Sequence, residues 1–245
     1  MIKTSGKRPH TKLWIAAAVL LVAGILFFSI NIKTVRVTGT TRYTEEEMTS
    51  MLFGSRFDYN SIYCYVKDRF MKHQQIPFVE DYKLVFQGPT KVEVIVYEKS
   101  VVGYVSYMGS YMYFDKDGII VESANEKLDD IPMIEGLHFG HIVLHKPLPV
   151  DSSSIFEEIL NLTQILSVYQ LQVDKIQYNS MGEVTLYMGE IEVVLGDSSG
   201  INGKVSELSD MLPKLAGLAG TLYLDTYVES NGNMAYTFKK KLQNY

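Results

Sequence analysis

Residues Leu13–Ile32 run without a single charge and are closed by Lys12 on one side and Lys33 on the other. At about 1.5 Å per residue, the run makes a helix of about 30 Å, the thickness of a bilayer's hydrocarbon core. Leu, Ile, Val and Phe fill most of it, and Ser29 and Asn31 come near its end, where polar groups reach the interface. A cleaved signal peptide has a shorter apolar region that ends in small residues. Here Ala16–Ala18 come early and the run closes on Phe27-Phe28-Ser29-Ile30. No polar face appears, as it would on a surface helix of a soluble domain. The stretch therefore predicts a transmembrane helix over 13–32, in contact with the lipid bilayer.

Charge sets the expected orientation. Residues 1–12 hold Lys3, Lys7, Arg8 and Lys12 and no acid. A basic flank of this kind stays inside, so a cytoplasmic tail precedes the span and everything after Ile32 is extracytoplasmic. The 245-residue chain is 47% hydrophobic and 21% charged, which suits folded domains rather than disorder. With one cysteine, Cys64, no internal disulfide can form, and the exported part must rely on its core. Net charge is −5 and the basic clusters lie at the two ends, so no nucleic-acid partner is expected.

Residues 33–99 read as a small β-α-α-β-β domain. Val35 and Val37 alternate with Thr34, Arg36 and Thr38, a strand that stops at Gly39. Thr44-Glu45-Glu46-Glu47 is a capping box with acids matched to a helix dipole. A second helix starts near Asn60 or Ser61, with Ile62, Val66, Phe70 and His73 on one face, and Pro77 ends it. Tyr82–Phe86 and Val92–Val96 are strands joined at Gly88-Pro89.

The strand Val35-Arg36-Val37-Thr38-Gly39 behind a membrane span, followed by the capped helix, resembles the POTRA domain of the FtsQ/DivIB family of bacterial cell-division proteins. Ile76-Pro77-Phe78-Val79 and Pro89–Lys99 are similar to that family's strand pair, with Val101 where the family usually has proline. Further on, Tyr113–Gly118, Ile131–Gly136 and the strand at Gly220–Asp225 also resemble the family, although Tyr223 and Asp225 replace its usual aspartate and arginine pattern.

Residues 100–228 read as a mainly antiparallel β domain with two amphipathic helices, making the whole α+β. Ser154–Glu157 is a second capping box, opening a helix with Ile155, Ile159, Leu162, Leu166 and Tyr169 on one face. Ile201, Val205, Leu208, Leu212 and Leu215 mark the other helix. In the tail, 229–245, Met234, Tyr236 and Phe238 alternate ahead of Lys239-Lys240-Lys241. That pattern predicts an edge strand guarded by lysines, and an edge strand is also a docking place for a partner's strand.

Two stretches carry residues of catalytic type. Gly196–Gly200 resembles a serine-protease loop, but no His and Asp context supplies a base, and a turn with a helix cap is expected. His138, His141 and His145 have spacings of three and four, which would suit zinc on a helix, yet Gly140, Pro147 and Pro149 oppose a helix there. An exposed loop is expected, with no metal, cofactor or small-molecule substrate.

The resemblance implies a non-enzymatic bitopic scaffold at the division septum. Its partners would be small coiled-coil division proteins of the FtsL and FtsB/DivIC types, and it would help regulate septal peptidoglycan synthesis. The expected partner-binding residues are Leu222, Leu224, Tyr227, Tyr236, Phe238 and Lys239, and the expected POTRA surface residues are Arg36, Glu45 and Glu46. The alternatives are a membrane-tethered hydrolase or metal-dependent enzyme built on the 138–145 histidines, and a POTRA-bearing chaperone or sensor.

Overall fold

The computed structural model describes residues 9–228 and 236–241; the side chains at 9–12, 23, 25, 26 and 28 lie outside that set. Lys3, Lys7 and Arg8, Met234, and the residues after Lys241 therefore lie outside the described residues. The chain divides into two units, Met1–Glu98 and Lys99–Tyr245.

The first unit begins with helix α1, Pro9–Ser29. Leu13, Trp14 and Leu20 on it are each about three-quarters exposed. Among the described residues no helix is long and apolar enough to cross a membrane. The helix stops at Ser29 rather than Ile32, because the next residues belong to the folded unit. Asn31 bridges to Asn60, and Ile32 is buried and donates its N–H to the Tyr59 carbonyl at 2.6 Å.

Strands β1 (Thr34–Thr38), β2 (Val79–Phe86) and β3 (Lys91–Glu98) form a sheet in the order β1-β3-β2, with helices α2 (Glu45–Leu52) and α3 (Ser61–Phe70) between β1 and β2 in sequence. β1 runs parallel to β3, with Val35 beside Val92 and Val37 beside Val94. Met48, Leu52, Phe53 and Ile76 close the core over Val92, Val94 and Val96. Burying each such side chain stabilises the unit by about 1.5–3 kcal/mol. The capping box forms as its spacing predicts. Thr44 accepts from the Glu47 amide at 3.2 Å, and Glu47 accepts from the Thr44 amide at 2.9 Å. Asn60 caps α3 by accepting from the Tyr63 amide at 3.0 Å.

The apolar face expected on α3 exists but points outward. Ser61 and Cys64 face the core, while Ile62, Val66 and Phe70 are exposed. His73 is not on that exposed stripe. It lies beyond the helix, its ring stacked on Tyr82 and held between Asp68 and Asp81.

In the second unit, strands β4 (Gly103–Tyr107), β5 (Ser110–Phe114), β6 (Ile120–Ala124), β7 (Met133–Glu135), β8 (Lys175–Tyr178), β9 (Val184–Met188), β10 (Ile191–Gly196), β11 (Gly220–Tyr223) and β12 (Thr237–Lys240) make one nine-stranded sheet. Its order is β12-β11-β10-β9-β8-β7-β4-β5-β6. The hairpins are antiparallel, but β10 and β11 pair parallel, as do β7 with β4 and with β8. Helix crossovers account for two of these. α4 (Ser153–Val168) lies in the chain between β7 and β8, and α5 (Ile201–Leu215) between β10 and β11, the connection type that parallel neighbours require.

Both helices share one core with the sheet, through Phe156, Ile159 and Leu162 of α4 and Val205 and Leu208 of α5. The capping residue of α4 is Ser152, not Ser154. Ser152 is extended and its hydroxyl accepts from the Ile155 amide, so Ser154 falls within the first turn and Glu157 lies too far along to return the bond. The helix α5 likewise starts at Gly200 in the left-handed conformation, with no side-chain cap.

Candidate partner-docking edge

Register turns the alternation of single strands into a row across the sheet. Ile134 lies beside Ile176, Ile176 beside Leu186, Leu186 beside Val193, Val193 beside Leu222, and Leu222 beside Phe238. Every member from Ile176 to Leu222 is fully buried, and Phe238, on the last strand, is half-buried and packed against the same core. Because side chains on neighbouring strands in register share a face, the row is one continuous apolar ridge that stops at the sheet edge.

β12 can lie this close because residue 220 has no side chain. A Cβ on Gly220 would stand 2.8 Å from the Phe238 ring and 2.3 Å from the Lys239 carbonyl oxygen. Lys241 donates its N–H to Ala219 at 2.9 Å. In an antiparallel ladder the inward-bonded residues alternate. Lys239 and Thr237 therefore bond inward to β11, and the N–H and C=O of Phe238 and Lys240 point away from it. Among the described residues no strand pairs with that outer side. Lys239 and Lys240 are exposed there, and the Lys239 ammonium lies 4.7 Å from the centre of the Tyr223 ring. Exposed lysines are the usual guard of an unpaired edge.

The structure separates the six expected partner-binding residues. Tyr236, Phe238 and Lys239 lie at the edge. Leu222 and Leu224 are fully buried and hold β11 and the turn after it in the core, so they cannot face a partner. The alternation of a strand does not reveal which of its faces is covered. Tyr227 is half-buried and stacks over α5, where a Cβ on Gly203 would meet its hydroxyl at 2.1 Å. In the first unit Arg36, Glu45 and Glu46 are all exposed, and Glu45 accepts from the Val37 amide at 3.2 Å on the free side of β1.

Asp197 is hydrogen-bonded by Ser199 and by the Lys204 ammonium, which also donates to the Asp197 carbonyl at 2.8 Å. The Ser199 hydrogen bond, with help from the Lys204 charge, lowers the Asp197 carboxyl below its usual range. Lys204 itself is 1% exposed. A lysine on an amphipathic helix is expected at the surface, and only its spacing between Ile201 and Leu208 hints otherwise. His138, His141 and His145 are all exposed, and His141 Nδ1 is 2.9 Å from the Tyr107 hydroxyl. Among the described residues no three metal-ligating side chains gather. Burial, with the nearby Asp68 charge, pushes the Cys64 thiol up to about 11, so it stays protonated and unreactive at neutral pH.

Comparison with known proteins bears on the same region. The family described as "Cell division protein FtsQ/DivIB, C-terminal" matches residues 103–230, more than half of the chain. The chain is also similar to the "Cell division protein DivIB" of Clostridium acetobutylicum, at 23% identity over 218 residues, covering 86% of this chain and 84% of that one.

Proposed function

Because the chain belongs to the FtsQ/DivIB family of cell-division proteins, we propose that it is a non-enzymatic, bitopic scaffold that captures a partner by strand addition on β12. The apolar ridge that ends at Phe238, beside outward-facing backbone groups of Phe238 and Lys240, is the observation that carries this reading. A partner strand laid there would gain backbone hydrogen bonds, and one of its apolar side chains would extend the ridge and cover Phe238. The partners that fit the family are the extracytoplasmic segments of small coiled-coil division proteins of the FtsL and FtsB/DivIC types. Through them the scaffold would help regulate septal peptidoglycan synthesis.

In this reading α1 crosses the bilayer with its N-terminus in the cytoplasm. Its apolar sequence from Leu13 to Ser29 and the exposed Leu13, Trp14 and Leu20 support that placement. The first unit, with its β-α-α-β-β order, would serve as the POTRA domain that helps bring the protein to midcell. The test is to capture purified partner segments on the full chain and map the contact by amide hydrogen exchange. New protection at Phe238 and Lys240 is the expected result, and capture without protection there refutes strand addition on β12. Fluorescently tagged protein is expected as a midcell band, and a uniform envelope signal would count against the septal role.

A further inference from the structure

The outward face of α3 is an apolar stripe in a unit that already has a filled core. Ile62, Tyr65, Val66 and Phe70 recur at helical spacing, and Phe70 is 80% exposed. Phe57, in the turn before the helix, and Met71, after it, extend the stripe at 61% and 57% exposure. The core-facing side of the same helix holds Ser61 and Cys64 instead. An amphipathic helix with its larger apolar face outward is covered by something other than its own domain.

Two observations indicate what covers it. The start of α3 is tied to the end of α1: Ser61 donates its N–H to the Ile30 carbonyl at 3.0 Å, and the Asn60 amide donates to the Phe27 carbonyl. The stripe thus starts at the level where the apolar helix ends. The headgroup layer extends only about 5–7 Å beyond the hydrocarbon core on each side, so Phe57 and Ile62 fall close to it. The second observation is charge. The segment 55–72 carries Arg56, Lys67, Arg69 and Lys72 against Asp58 and Asp68, in a chain whose net charge is −5. Aromatic and apolar side chains flanked by Lys and Arg are the composition of helices that lie in an anionic headgroup layer.

We infer that the outer face of α3 rests in the headgroup layer of the bilayer that α1 enters, with Phe57, Ile62 and Phe70 inserted and Arg56, Arg69 and Lys72 on anionic lipid. This inference rests on the reading of α1 as a membrane span. The contact would fix the first unit against the membrane.

The test uses the full chain reconstituted in phosphatidylcholine vesicles with and without phosphatidylglycerol. A nitroxide is placed at Phe70→Cys, at Val19→Cys within α1, and at the exposed position 80 of β2 as Glu80→Cys; the buried, protonated Cys64 does not compete for the label. Collision with lipid-soluble oxygen is compared with collision with a water-soluble nickel chelate. The expected result is that position 70 favours oxygen, as position 19 does, while position 80 favours nickel, and that the preference at 70 weakens when phosphatidylglycerol is left out. If position 19 reads lipid and position 70 reads water, the span stands and this inference is overturned. If position 19 also reads water, both fall. Shielding of position 70 that appears only when partner proteins are added overturns the lipid contact in favour of a protein one.

Discussion

Proline at residue 240 tests strand addition without dismantling the strand that would perform it. The Lys240 amide points outward and makes no bond to β11, so Lys240→Pro removes a donor only from the side where a partner would lie. Proline is tolerated on an edge strand when its missing N–H faces solvent, and it favours the extended backbone already present at Lys239. The fold should therefore lose less than about 1 kcal/mol. A backbone hydrogen bond contributes about 0.5–1.5 kcal/mol net, and the proline ring also keeps the incoming strand from closing on the neighbouring Phe238 groups. A combined loss of about 1–2 kcal/mol weakens capture roughly 5- to 30-fold. Lys239→Pro is the paired control. The Lys239 amide faces β11, so its loss breaks the ladder and should lower both stability and capture. Titration calorimetry of the partner segment on each variant, alongside thermal unfolding, gives both quantities. If Lys240→Pro binds its partner as tightly as the parent chain, recognition through the backbone of β12 is wrong.

Other expectations follow from individual contacts. Gly220→Ala forces a Cβ against the Lys239 carbonyl, 2.3 Å away, so β12 should separate from β11 and the Lys239 and Lys241 amides should exchange at least about tenfold faster. Equal exchange rates would show that β12 does not depend on that close approach. Lys204→Ala removes a fully buried side chain and the donor that holds the Asp197 carbonyl, which should cost about 2–3 kcal/mol in denaturant unfolding. His73 yields a pH dependence. Burial opposes its charged form, but the hydrogen bond and charge of Asp81, with Asp68, outweigh burial and raise its pKa above the ordinary value. Stability from this group is then fully present below the unfolded pKa of about 6.5 and is lost as pH rises through the raised folded value. His73→Gln should flatten the fall of the unfolding midpoint as pH rises from about 6.5 through the raised folded value, and a midpoint that falls as before would remove His73 as its cause.

Interactions that close within a few residues were legible along the chain. The capping box at Thr44 and Glu47 and the Gly88-Pro89 turn between β2 and β3 depend on groups that are neighbours in sequence. The same short range explains the missed cap of α4. With three serines in a row, which one starts the helix is decided by the extended backbone at Ser152 as the chain arrives from Asp151, not by the spacing to Glu157.

What tertiary structure decided is which side of each pattern is covered. Periodicity places Ile62, Val66 and Phe70 on one face of α3, but whether that face meets the core depends on how the chain leaves α1 and docks at Asn60 and Ser61. The alternation at Leu222, Leu224 and Phe238 is the same signal in all three, yet two are fully buried and one lies at the rim, because β12 has no further strand beside it among the described residues. Lys204 reads as a surface lysine until the Asp197 loop folds over its ammonium. Local bonds involve a handful of adjacent torsions and can be read in order along the chain. Burial of a face is a contact between segments tens to hundreds of residues apart, and it exists only once those segments have met.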